Sequence, residues 1–267
     1  MQKYNLHTHS FYCGHGTGNI REYAEEALEK GLTLLGFTEH LPFPDDKLSR
    51  TRMPYSAKKK YEEDVKRTRD EYREKGLEIL LGWECDYFSS YKSYFEDVKA
   101  ECDYIICGTH YKICEAGLKS LFYGKLTQSE VLNIAERTAE AASTHLFDFI
   151  AHPDVFFIGY EDFDSTAEKA SRIIIEEAMK SGAELEINGN GLIRPSQFLR
   201  PAYPVKDFWM LARSMGIEKA VCSSDAHSVE NLTKSFSLMD EFIKNAGIKR
   251  AEPYFSSSLK FRNPDQK

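Results

Sequence analysis

The chain of 267 residues is 42% apolar and 29% charged, the balance of a folded globular protein rather than a disordered one. A formal net charge of -7 and a pI near 5.7 argue against an extended nucleic-acid surface, which needs Lys and Arg to neutralise phosphates, but leave a small phosphorylated substrate open. No apolar run approaches the length of a membrane span and Met1-Gln2-Lys3-Tyr4 holds no signal-like segment, so a cytoplasmic protein without a membrane partner is expected. The six cysteines show no Cys-x-x-Cys pair and no dense disulfide spacing, and are expected to be reduced and mostly buried.

A short strand leads into His7-Thr8-His9, where alternate side chains share a face and can converge on one ion; His15 follows in Cys13-Gly14-His15-Gly16. Asn19 to Gly31 has helical spacing at Ile20, Tyr23, Ala24, Ala27 and Leu28 and closes on a glycine. Leu34 to Thr38 is an apolar strand ending on Glu39-His40. A proline-marked loop to Pro54 precedes a charge-rich helix over Ser56 to Lys75, whose charges read as its solvated face. The strand Leu77 to Trp83 ends on Glu84. A helix over about Tyr94 to Lys99 precedes the strand Tyr104 to Thr109, which ends on His110. After a loop containing Gly117 and Gly124, Ser129-Glu130 caps a helix to about Ala142, and the strand Phe147 to Ala151 ends on His152. Asp164-Ser165-Thr166 opens a helix closed by Gly182. The strand Ala183 to Ile187 ends on Asn188, and Gly189 to Pro195 loops away. A helix over about Val205 to Met215, the strand Lys219 to Ser224 ending on Asp225-Ala226-His227, and a last helix over about Val229 to Asn245 complete the pattern. The tail offers only a possible strand at Pro253 to Phe255.

Seven strands alternating with helices, and no long polar linker, predict a parallel α/β architecture in one domain spanning 1–267, either a barrel with seven units or a doubly wound open sheet. In both, ligand sites lie at the carboxyl ends of the strands. Seven of the eight histidines, His7, His9, His15, His40, His110, His152 and His227, fall there, joined by Glu84 and Asp225. His145, at a helix C-terminus where positive charge is favourable, is read as structural. Imidazoles and carboxylates without thiolates suit zinc, iron or manganese. The donors exceed what one tetrahedral ion needs, so two or three divalent transition-metal ions sharing a carboxylate are expected. Such a centre can make hydroxide from water near neutral pH and polarise a phosphoryl group, which points to phosphate ester hydrolysis of a small phosphorylated substrate.

The ordered segments His7-Thr8-His9-Ser10, Cys13-Gly14-His15-Gly16, Thr38-Glu39-His40, Gly108-Thr109-His110, Ala151-His152-Pro153-Asp154, Glu186-Ile187-Asn188 and Ser224-Asp225-Ala226-His227 resemble the motifs of the PHP (polymerase and histidinol phosphatase) superfamily, and more narrowly its bacterial histidinol-phosphate phosphatases, from residue 5 to about 230. The resemblance implies a distorted seven-fold β/α barrel and a trinuclear centre working through a metal-bridging hydroxide. His7, His9, Glu84 and Asp225 would hold one ion, Glu84 with His110 and His152 a second, and His15, His40 and His227 a third. Arg194 would grip the phosphate. Relatives often carry a basic residue shortly after the His152 motif, where this chain has Val155-Phe156-Phe157-Ile158; Arg52 or Arg200 could serve instead. The expected substrate is L-histidinol phosphate, in histidine biosynthesis. Alternatives are a PHP phosphatase or phosphodiesterase acting on phosphotyrosine or nucleotides, and, from another class, a non-catalytic metal-stabilised module that binds a phosphorylated ligand. The oligomeric state, the leaving-group acid and the choice between substrate contact and support for Glu186 and Asn188 stay open.

Overall fold

The structure, a computed structural model, describes residues 2–114, 117–256 and 258–262. Strands β1 (Tyr4–Asn5), β2 (Leu34–His40), β3 (Glu78–Cys85), β4 (Tyr104–Cys107), β7 (Phe149–Ile150), β8 (Glu184–Asn188), β9 (Lys219–Ser223) and β10 (Lys249–Arg250) form one parallel sheet in the order β1-β2-β3-β4-β7-β8-β9-β10. Two antiparallel hairpins, β5 (Tyr111–Cys114) with β6 (Gly117–Ser120) and β11 (Glu252–Phe255) with β12 (Leu259–Arg262), stand apart from it. Helices α1 (Ile20–Glu29), α2 (Lys58–Arg73), α3 (Lys92–Glu101), α4 (Gln128–Ser143), α5 (Ser165–Ser181), α6 (Gly189–Ile193), α7 (Lys206–Ser214) and α8 (Phe236–Ala246) lie between the strands.

The sheet curls until its first strand meets its seventh. Thr8 bridges Ala226 in parallel, the His9 amide donates to the Ala226 carbonyl at 2.8 Å, and the Leu6 amide donates to Ser223 Oγ at 3.1 Å. β10 pairs with Lys219 and Ala220, so it takes the lower part of the β9 edge while the residues after β1 take the upper part. This is the distorted β/α barrel, with an eighth short strand wedged in.

Alternation along each strand divides the core in two. On β3, Ile79, Leu81 and Trp83 point out to the helices, whereas Leu80 joins an inner cluster with Tyr4, Leu6, Leu34, Tyr104, Ile106, Phe149 and Val221. The inner space is filled by one large side chain: a Cβ on Gly36 would fall 1.9 Å from the Tyr104 hydroxyl and one on Gly82 2.6 Å from its Cε1. The Tyr104 hydroxyl donates to the Leu6 carbonyl at 2.8 Å. The hairpin of β11 and β12 closes the bottom, with Leu259 buried and Phe255 and Phe261 packed against the inner cluster.

Several expectations need correction. The stretch with Gly117 holds the β5–β6 hairpin. The α4 cap is Thr127, in a capping box with Glu130, rather than Ser129. The expected loop from Gly189 opens as the short helix α6, because Asn188 Oδ1 accepts from the amides of Asn190 and Gly191. The last helix is broken into a 3-10 turn at Val229–Asn231 and α8. All six cysteines are free, four of them buried. Among the described residues no helix is long and apolar enough to cross a membrane.

Candidate metal centre

The carboxyl ends of β2 and β3, with the segments after β1, β4, β7 and β9, bring all nine expected ligands together. β1 stops at Asn5, but the extended backbone through the Thr8 bridge still turns His7 and His9 to one side, their Nε2 atoms 3.1 Å apart. His7 Nε2 lies 3.5 Å from Glu84 Oε2 and 3.6 Å from Asp225 Oδ1; for His9 Nε2 the same distances are 3.4 and 3.3 Å. A tetrahedral ion with bonds of 2.0–2.2 Å separates its donors by about 3.3–3.6 Å, and both histidines stand at about that spacing from each carboxylate, with His7, His9 and Asp225 close enough together to share one ion. Across the other oxygen of the same carboxylate, Glu84 Oε1 lies 3.1 Å from His110 Nε2 and 2.9 Å from His152 Nε2. His15, His40 and His227 form a third group, with ligand atoms within 4.8 Å of one another. His40 Nδ1 also stands 2.9 Å from Glu84 Oε2, yet both atoms are buried and neither makes an aligned hydrogen bond among the described residues. Buried polar atoms left without partners are costly, and a cation between them removes that cost. The donor set therefore fits divalent metal ions.

Glu84 can stand at the junction because residue 108 is glycine: a Cβ there would fall 2.2 Å from Glu84 Oε1 and 2.5 Å from His110 Cε1. Asp225 sits in a left-handed backbone, φ 51°, as the chain turns off β9. The charges are mutually dependent. Burial alone would drive Glu84 and Asp225 towards the neutral acid, but His110, His7 and His40 around the first, and His7, His9 and His227 around the second, hold both well below the usual carboxylate range. Burial likewise opposes charge on His7 and His110, yet the surrounding carboxylates raise both, and His9 rises to about 9. Burial dominates at His40 and His227, the latter pushed down to about 3.

A second layer fixes the rings. His7 Nδ1 pairs with Glu186 Oε1 at 2.9 Å, while Glu186 Oε2 accepts from the His152 amide and from Asn188 Nδ2. Glu186 and Asn188, left open by the sequence, are thus buried supports. His15 Nδ1 meets the Cys13 carbonyl and His227 Nδ1 the Asp225 carbonyl, both at 3.0 Å, which turns each Nε2 towards the centre. His110 Nδ1 meets Asp86 Oδ2 at 3.0 Å, and Asp86 Oδ1 accepts from the His110 amide. Sequence reasoning missed Asp86, although it stands two residues after Glu84, directly past the end of β3. Glu39, bonded to Ser10, and Cys13 are also close. Cys13 Sγ lies within 4.8 Å of donor atoms of His9 and His227, but it is engaged by Ser10 and Gly16, and burial pushes the thiol up to about 12.

The centre opens into a cavity of about 1450 Å³ whose wall holds seven cationic side chains and one carboxylate, Asp225. Arg194 is part of that wall, its guanidinium 4.5 Å from the centroid of the Phe122 ring. Arg52 also reaches it but is buried against Asp86 and the Leu41 carbonyl. Arg200 is spent on the carbonyls of Tyr160, Glu161, Pro201 and Ala202, so it does not supply the missing charge. Val155, Phe156 and Phe157 are buried in a 3-10 turn. His145 lies outside the cluster, exposed, with Nδ1 near the Ser181 carbonyl.

A sequence model described as the PHP domain matches residues 5–190. The chain is 29% identical over 228 residues to a Deinococcus radiodurans protein described as "Probable histidinol-phosphatase", covering 83% of this chain and 85% of that one. It is 29% identical over 143 residues to the histidinol-phosphatase of Bacillus subtilis, covering 50% and 53%. The crystal structure of histidinol phosphate phosphatase from Lactococcus lactis, complexed with zinc, L-histidinol and phosphate, shares the fold with a TM-score of 0.70 at 19% identity, over 97% of this chain and 98% of that one.

Proposed function

This chain belongs to the PHP domain family, and from that premise we propose that it is a metal-dependent phosphomonoesterase that hydrolyses L-histidinol phosphate to L-histidinol and phosphate in histidine biosynthesis, with residues 1–267 acting as one domain. The observation that carries the reading is the interlocked donor set, with His7 and His9 each 3.3–3.6 Å from Glu84 and Asp225 and the other oxygen of Glu84 facing His110 and His152. His15, His40 and His227 would hold a third ion, and the donor types suit zinc, iron or manganese. When bound, such ions supply Lewis-acid stabilisation of phosphoryl oxygens and lower the pKa of nearby water.

The chain's own residues do the positioning. Glu186, Asp86 and the carbonyls of Cys13 and Asp225 hold His7, His110, His15 and His227 in the tautomers that leave Nε2 free. Arg194 presents a fork of donors to the phosphate from the cavity wall. Glu84 and Asp225 stay ionised in a buried site, which keeps cations there and leaves the rest of the wall to attract the anionic ester. The names of the relatives support the choice of substrate. A second reading, a phosphatase or phosphodiesterase acting on phosphotyrosine or nucleotides, is favoured by the cationic wall, where Arg50, Lys119, Lys125 and Arg194 have no carboxylate partner among the described residues, more than one phosphate needs. Steady-state phosphate release from histidinol phosphate, phosphotyrosine and a nucleoside monophosphate, with elemental analysis of the same sample, separates the two. Preference for histidinol phosphate, lost on chelation and restored by metal, is expected. Two or three bound ions with turnover of another ester alone would discard the substrate, and no ions with no turnover would discard the centre.

A further inference from the structure

Five tyrosines are less than 2% exposed: Tyr23, Tyr61, Tyr72, Tyr104 and Tyr203. A buried phenol needs a partner for its hydroxyl. Four have one, donating to the His9 carbonyl, the Gly82 carbonyl, Glu25 Oε1 and the Leu6 carbonyl respectively. The Tyr203 hydroxyl makes no hydrogen bond among the described residues and, unlike the sealed atoms elsewhere, is open to the cavity, whose wall Tyr203 forms together with His152 and Arg194.

The ring is held there from two sides. Its centroid lies 5.7 Å from that of His152, and it packs on Gly191, where a Cβ would fall 2.3 Å from Tyr203 Cδ2 and 2.1 Å from its carbonyl oxygen. Two residues on, the Val205 amide is fastened to Asp154 Oδ2 at 2.6 Å. The wall after His152 contributes no cation, since Val155-Phe156-Phe157 is apolar and buried.

We propose that Tyr203 touches the substrate, its hydroxyl donating a hydrogen bond to an oxygen of a phosphate ester bound beside His152, alongside Arg194. The proposal rests on the phosphatase reading above. It explains why a tyrosine, and not phenylalanine, is clamped at a position where its ring already packs well.

The test is Tyr203→Phe in the full, metal-loaded chain, which keeps the ring and removes only the hydroxyl. We expect kcat/KM on the best ester to fall about 10- to 100-fold, the loss of one hydrogen bond to a charged acceptor, with weaker binding of inorganic phosphate and with metal content and melting temperature unchanged. Kinetics and phosphate affinity within twofold of the parent would overturn it, and so would a loss of activity that only follows a loss of metal. A parent inactive on every ester would sink the phosphatase reading instead, and the phosphate titration would still decide Tyr203: equal affinities would overturn the contact.

Discussion

Asp86→Asn tests how far the metal centre depends on residues that never reach it. Asp86 is 2% exposed and accepts three hydrogen bonds: from the His110 amide at 2.9 Å, from His110 Nδ1 at 3.0 Å and from Arg52 Nη2 at 2.9 Å. Arg52, 4% exposed, has no other carboxylate partner among the described residues. An asparagine can still accept from the His110 amide, but its own NH₂ then faces two donors. Breaking one side of a buried ion pair costs about 3–5 kcal/mol. For a chain of this size, with about 2–4 °C per kcal/mol, the melting temperature should fall by roughly 6–20 °C. The His110 ring also loses the group that fixes its tautomer, so metal affinity should drop roughly 10- to 100-fold. Thermal unfolding of metal-free and metal-loaded protein, with competition against a chelator, reads both quantities. Arg52→Met is the control: it leaves both bonds from Asp86 to His110 in place and should spare metal affinity more than stability. A variant Asp86→Asn that melts within about 1 °C of the parent and holds its metals as tightly would refute the reasoning.

Gly36→Ala should destabilise by about 1–3 kcal/mol, because its Cβ would meet the Tyr104 hydroxyl at 1.9 Å, and combining it with Tyr104→Phe should cost less than the two changes summed; additivity in chemical denaturation would show that the hydroxyl is not what fills that space. Gly108→Ala should cut metal content, since the new methyl group would take the place of Glu84 Oε1; full metal occupancy in elemental analysis would remove Glu84 from the shared position. Carboxylate neighbours raise His7, His9 and His110 in the metal-free chain, which favours their charged forms, whereas metals take the neutral ring. Metal loading at pH 7 should thus release protons and strengthen as pH rises towards 9; calorimetry in buffers of different ionisation enthalpy detects them, and no release would contradict the raised rings.

The ligands were legible because of where they fall. Apolar runs of four to eight residues mark parallel strands, and His40, Glu84, His110, His152 and Asp225 each sit at or just beyond the end of one, so finding the strands placed the donors on one edge. What escaped was set by contacts between distant segments. β10 is two residues long and has no period to read; it forms because the lower edge of β9 is open. Gly189-Asn190-Gly191 reads as loop by propensity, yet the glycines are there so that Ser235 and Tyr203 can lie where side chains would be, 2.0 and 2.1 Å from the missing Cβ atoms. Tyr203 itself lies in a proline-rich segment that resembles any connector, and only its packing on Gly191 and His152 brings it to the cavity. Asp86 was within reach, because a carboxylate two positions after a ligand, directly past the end of β3, falls at the same edge of the sheet.

That division has a physical reason. First-layer donors at the carboxyl ends of parallel strands are dictated by local chemistry, since each must be a residue type that binds a cation, and residue type is visible in one dimension. Their angles are dictated by the second layer, and any hydrogen-bond acceptor can hold a ring: a glutamate for His7, an aspartate for His110, main-chain carbonyls for His15 and His227. Carbonyls leave no trace in residue type at all. The part of the centre that sets tautomer and orientation is therefore the part that only the folded chain discloses, and it is where substitutions far from the cavity should change the chemistry most.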